Sequence, residues 1–175
     1  DIQDEHYLPA FEKGIAMHKK EIEKIINNKK EANFENTIAA FDRSGSLLGK
    51  VQYVFNGVLS SNTSEQLQEI AQITAPMESG HFDDINLNPD LFKRVKAVYE
   101  KQAEMDLNTE QKKLLDETYK NFVRGGAELD DDKQSRFREI NQRISVLSLQ
   151  FGDNVLAENN AYKLYIENEK DLAGL

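Results

Sequence analysis

The chain of 175 residues has no cysteine and no tryptophan, and only three prolines, three histidines and nine glycines. Without cysteine there is no disulfide framework, no thiolate metal site and no cysteine nucleophile, although this leaves the compartment undecided. Basic residues are in deficit, since 22 Lys and Arg face 31 Asp and Glu, a formal charge of −9. A nucleic-acid binder needs a basic patch to displace counterions from phosphate, and a polybasic membrane-surface protein needs the same sign of charge. The balance argues against both. No apolar run approaches the ~18 residues of a membrane span. An initiator Met and a signal-type apolar stretch are also missing, so the chain, which starts at Asp1, reads as a processed or trimmed piece. What is present is 39% apolar and 30% charged residues. That supplies a core and a solvated surface for one domain over residues 1–175.

The few Gly and Pro residues sit between long segments of helical periodicity, with no internal repeat or low-complexity tract. Leu8, Phe11, Ile15, His18, Ile22 and Ile25 recur at intervals of three and four, which predicts a first helix from about His6 to Asn27. His18 lies on this stripe and reads as a core histidine bonded to a neighbour rather than as a ligand. A second helix is expected from the cap Asn33 through Phe34, Ile38, Phe41, Leu48, Val51 and Phe55. It reads as continuous past Arg43-Ser44-Gly45-Ser46, because the period resumes at once; a break there is the alternative. A third helix carries Leu67, Ile70 and Ile73, capped from Asn62 or Thr63, and Pro76 interrupts or kinks it.

Between Met77 and Leu87 the pattern is ambiguous. His81 with Asp83 and Asp84 could suggest a metal site, but no second histidine lies at helical or short-loop spacing, and hydrogen bonding at a helix junction is the preferred reading. Asn88-Pro89 starts a fourth helix to about Ala103, with Phe92, Val95 and Tyr99 inward. Asn108 or Thr109 caps a fifth, whose inner face is Leu114, Leu115, Thr118 and Phe122 and which ends at Gly125-Gly126. The run Asp130-Asp131-Asp132 lacks the spaced ligands of a calcium loop and suits a helix N-terminus instead.

A sixth helix, about Asp132 to Asn159, carries Phe137, Ile140, Ile144, Leu147, Phe151 and Val155 at nearly heptad spacing. This seam is expected to be buried at Phe151. Val146 and Leu149 add apolar surface on other sides of the helix. Tyr162, Leu164 and Ile166 alternate with Lys163, Tyr165 and Glu167, which predicts a short terminal strand. The expected fold is thus all-α: a bundle of about six helices with one long C-terminal helix and that strand.

No sequence motif for chemistry is present: no His-Glu-x-x-His, no phosphate-binding Gly loop and no Gly-x-Ser-x-Gly elbow. His6, His18 and His81 form no local ligand set. No catalytic, cofactor-binding or metal residue is therefore expected in this chain.

The residues do resemble a family. Asn33-Phe34-Glu35-Asn36-Thr37-Ile38 followed by Arg43-Ser44-Gly45 is similar to a signature near the start of thimet-oligopeptidase-like zinc metallopeptidases, above all the bacterial peptidyl-dipeptidase and oligopeptidase A branch. Gly80-His81, the stretch from Ile85 to Val95, Phe122-Val123-Arg124 with Gly126-Ala127, and Asn141 with Ile144 and Leu147 match further blocks in order. So do Phe151 with Asn154-Val155-Leu156 and the closing Asp171-Leu172-Ala173-Gly174-Leu175. The resemblance implies the N-terminal region of an enzyme that cleaves short peptides at a zinc site far downstream, with this region walling a narrow channel. Zinc and its ligands would belong to the parent enzyme, and none of those residues is present here.

The partners so implied are the remainder of the parent chain and short peptides, with neither nucleic acid nor membrane. The cytoplasm is the expected compartment, the periplasm the alternative. A freestanding helical module that docks a partner helix is the second reading of function. Because a lone strand lacks a partner and the sixth helix is apolar on more than one side, the isolated chain is expected to self-associate through them or to end in a disordered tail.

Overall fold

The computed structural model describes residues 2–168 together with Lys170 and Ala173. Of the Asp171–Leu175 block, only Ala173 is among the described residues. Seven helices follow one another: α1 (Tyr7–Ile26), α2 (Ala40–Asp42), α3 (Ser46–Ser61), α4 (Glu65–Asn86), α5 (Pro89–Glu100), α6 (Thr109–Arg124) and α7 (Asp131–Ala161).

The first helix buries the expected stripe from Phe11 to Ile25, but Leu8 is only half-buried, and Tyr7 and Gly14 complete the interior face. Gly14 is where α3 comes closest, since a Cβ there would lie 3.0 Å from Leu48 Cα.

The continuous helix expected from Asn33 is broken. Asn33 does cap, accepting from Asn36 N at 2.9 Å while Asn36 Oδ1 accepts from Asn33 N at 3.0 Å. The chain then makes a π-helical segment over Phe34–Ala39, one α turn (α2), and stops. Gly45 takes the left-handed conformation at φ +72°, a turn into which no helix can run unbroken. The hydrophobic period survives across the break because Ile38, Leu48 and Phe55 all still point inward.

Farther on, α4 is capped by Ser64, whose Oγ accepts from Leu67 N at 3.1 Å, rather than by Asn62 or Thr63. It continues through Pro76, so Met77 to Asn86 is helical. One missing donor in a long packed helix did not suffice to end it. The fourth expected helix ends at Glu100 and passes into a 3-10 turn at Gln102–Glu104. Asn108 caps α6 with Gln111 in a reciprocal box, and Gly126 at φ +92° follows its end.

The terminal strand is not formed. Among the described residues no strand occurs, and Leu164 and Tyr165 stand 67% and 77% exposed. No other segment alternates, so nothing is available to take up the backbone donors and acceptors of Tyr162–Glu167.

Two apolar cores lie along α1. Its first half packs Tyr7, Phe11 and Ile15 against Leu48 and Phe55 of α3 and Leu67, Ile70 and Ala71 of α4. Its second half packs Ile22 and Ile25 against Phe34, Ile38, Ile85, the α5 residues Leu91, Phe92, Val95 and Val98, and Leu115 and Phe122 of α6. The last helix, α7, lies along α4 with Leu149 against the first core. At 31 residues it extends about 46 Å, and not one of its residues is fully buried. The expected burial of Phe151 is therefore wrong: it is 71% exposed.

Candidate functional site

Between the two cores runs a chain of polar groups. His18 of α1, between Ile15 and Ile22, meets His81 of α4, with His81 Nε2 3.0 Å from His18 Nδ1. Its other nitrogen, His18 Nε2, is 3.1 Å from Ser44 Oγ. The Ser44 hydroxyl donates to Phe41 O at 2.6 Å, which settles the direction of the chain. With its proton committed, Ser44 Oγ accepts from His18 Nε2–H; His18 Nδ1 then carries a lone pair and accepts from His81 Nε2–H. At the far end His81 Nδ1 is buried without a partner.

This ordering requires a neutral His18 ring, and a proton added to His81 Nδ1 would be a buried N–H without an acceptor. Burial pushes the His81 pKa down to about 4, with His18 and Lys19 pushing the same way and Asp84 opposing. Burial also lowers that of His18, against the opposing pull of Glu21. No local spacing signals the pair, because residues 63 positions apart meet only through tertiary packing. One signal did exist. A glycine followed within its own turn by a resumed helical period marks a place where something must come close, and here Gly45 admits the His18 ring.

Asp83 and Asp84 do form the helix-junction hydrogen bonds expected of them. The buried Asp83 accepts from Asn141 Nδ2 at 2.7 Å, and Asp84 accepts from Arg138 at 2.9 Å and lies 3.5 Å from Lys19. They fasten α7 to α4, and α4 to α1. A second tie joins two of the sequence blocks: Arg94 donates to Asn28 O at 3.0 Å, Asn36 Oδ1 at 3.1 Å and Thr37 Oγ1 at 3.3 Å. Arg94 thus holds the 28–33 loop and the π-helical segment on α5.

A catalytic zinc site needs three protein ligands and an open position. The histidine pair supplies two nitrogens already engaged with each other, and among the described residues no group of three or more His, Cys, Asp or Glu could hold a metal ion. These residues do not fit zinc. His6 is elsewhere, accepting from Gln3 N at 3.0 Å.

The remaining feature is the outer face of α7. Ile140, Ile144, Leu147, Phe151 and Val155 are all exposed there, beyond the residues that face α4. Among the described residues no helix is long and apolar enough to cross a membrane.

The described residues thus present internal polar ties, two helical cores and an uncovered apolar helix face. The chain is 34% identical over 174 residues to a dipeptidyl carboxypeptidase of Salmonella typhimurium and 32% identical over 174 residues to that of Escherichia coli, in both cases over 99% of this chain and 26% of the relative. It is 30% identical over 176 residues to oligopeptidase A of Haemophilus influenzae, covering 99% of this chain and 25% of that protein. No family model matches it. The chain therefore spans about a quarter of the length of these relatives, and it aligns with their N-terminal part. This similarity over 99% of the chain is consistent with an N-terminal fragment of a thimet-oligopeptidase-like enzyme.

Proposed function

We propose that residues 1–175 form the non-catalytic N-terminal helical domain of a cytoplasmic zinc metallopeptidase that hydrolyses short peptides, and that this domain shapes the access of substrate to a site built by the rest of the polypeptide. The observation that carries the reading is the collinear similarity over 99% of the chain to dipeptidyl carboxypeptidases and oligopeptidase A. The residues agree with it in kind: the shared blocks map onto Arg94, Asn36, Thr37, Ser44, Gly45 and Asn141, which tie helices together. In this reading the chain holds no catalytic or zinc-binding residue, and zinc belongs to a His-Glu-x-x-His helix downstream. The test reads the frame past Leu175 and assays the encoded polypeptide on a quenched fluorescent peptide. A downstream His-Glu-x-x-His with chelator-sensitive cleavage, absent from the 175-residue chain alone, is expected. Cleavage by the 175-residue chain alone, or a complete frame without that motif, overturns the reading.

A further inference from the structure

We infer that the outer face of α7 seats one amphipathic helix contributed by the polypeptide that follows Leu175 in the longer protein. This deepens the proposed function and rests on it for the existence of that polypeptide. The face is a line of five large apolar side chains, Ile140, Ile144, Leu147, Phe151 and Val155, spaced 4, 3, 4 and 4 residues apart. Successive helical residues turn by about 100°, so this line falls roughly opposite Arg138, Asn141, Ser145 and Leu149. Those four residues are half-buried, as is Phe137 at the start of the helix, and three of them engage the body of the domain: Arg138 through Asp84, Asn141 through Asp83, and Leu149 against the first core. Helix α7 is thus covered on one side and bare on the other. A 3–4 spacing kept over about 23 Å is the pattern that another helix fills with knobs in holes. A strand, with period two, could not follow it.

The choice of occupant follows from three observations. Relatives aligned over 99% of this chain are about four times its length, so most of such a polypeptide lies outside it. Past the end of α7 the chain carries further exposed apolar residues, Tyr162, Leu164 and Tyr165. A second copy of the same helix is electrostatically poor in the parallel direction. Parallel pairing in register sets the Asp130-Asp131-Asp132 run against itself, whereas antiparallel pairing centred on the line sets Arg143 near the partner's Gly152 and is decided by the solution mass below. A helix of different sequence, with a carboxylate opposite Arg143, does not meet that obstacle.

The test compares amide exchange across Ile140–Val155 in the 175-residue chain and in the polypeptide encoded by the complete frame, together with the solution mass of the latter. At least tenfold slower exchange in the longer protein is expected, lost in the double variant Ile144→Asp/Phe151→Asp. Both positions are exposed, so that variant should leave the thermal midpoint of the 175-residue chain within about 2 °C of its parent. Equal exchange in the two forms overturns the inference. A frame that closes at Leu175 does so outright, and so does a dimer of the longer protein that the double variant converts to monomer. A longer protein that cleaves peptides with α7 unprotected defeats this inference and spares the functional reading. One that protects α7 but cleaves nothing does the reverse.

Discussion

Gly45 stands directly against the ring of His18: a Cβ on Gly45 would lie 2.8 Å from His18 Cε1 and 2.9 Å from Nδ1, and its φ is +72°. The same residue donates its backbone N–H to Glu21 Oε2 at 2.7 Å, so its position is held from the α1 side as well. Gly45→Ala should therefore cost about 2–4 kcal/mol in urea melts, the sum of left-handed strain and displacement of a buried ring. Gly49 is the control, since it lies inside α3 with nothing within 4 Å of its would-be Cβ. Gly49→Ala should stabilise by up to about 1 kcal/mol. A near-neutral Gly45→Ala would show that the break does not depend on glycine.

Acid should weaken the fold through the histidine pair. His81 titrates in the folded chain at about 4, below the ordinary value of 6.5, so between these limits the unfolded chain binds more protons. Stability from the neutral ring is then complete above pH 6.5 and is lost as the pH falls toward 4, by roughly 3 kcal/mol. Protonating His18 Nδ1 sets two donors face to face, and protonating His81 Nδ1 creates a buried N–H with no acceptor. The charged groups nearby, Lys19 and Glu21 on α1, Asp83 and Asp84 on α4 and Arg138 on α7, do not cancel this, because no carboxylate bonds either ring. His81→Gln keeps a donor but cannot ionise. Its melts at pH 7 and pH 5 should differ by less than those of the parent, and an equal difference would remove His81 as the cause.

How far the sequence discloses the fold depends on what each element needs. Five caps or stops were legible from single residues, among them Asn33, Asn88, Asn108 and the Gly125-Gly126 pair, because a cap is a local hydrogen bond. The break at Gly45 was legible only as an alternative, because the helical period resumes past it and the ring of His18 that lies against it is 27 positions away in sequence. The polar chain between the cores was not legible, since His18 and His81 carry no mutual spacing to detect. The periodicity of α7 disclosed a long helix with an apolar line, but the burial expected of that line was wrong, since Ile140, Ile144, Leu147, Phe151 and Val155 are all exposed. Period reports that a face is meant to be covered, and it says nothing of whether the cover lies within these residues.

Apolar truncations should therefore separate the two kinds of face. Phe55, buried in the first core at 2% exposure with its ring edge-on to Tyr7 and Phe11, should lose about 3–5 kcal/mol as Phe55→Ala. Phe151→Ala should change the stability of the 175-residue chain by no more than about 0.5 kcal/mol. Chemical denaturation of both variants is the check; a large loss at Phe151 would mean that α7 is covered in the isolated chain.

The Arg94 tie makes the last prediction. Among the described residues no carboxylate pairs with its guanidinium, whose partners are backbone and neutral side-chain oxygens. One terminal nitrogen donates to the backbone oxygens of Asn28 and Lys30, the other to Asn36 Oδ1 and Thr37 Oγ1, and its Nε is buried without a partner. A planar fork can serve the loop and the π-helical segment at once, whereas an ammonium is a single point that must choose between them. Arg94→Lys should accordingly cost about 1.5–3 kcal/mol although the charge is kept. Asn36 Oδ1 also accepts from Asn33 N and Thr37 Oγ1, so the arginine and the cap share one acceptor. The double variant Arg94→Lys/Asn36→Ala should then be less destabilised than the sum of its singles by at least about 0.5 kcal/mol. Strict additivity in a double-mutant cycle would show that the cap forms independently of Arg94, and that the two sequence blocks meet without supporting each other.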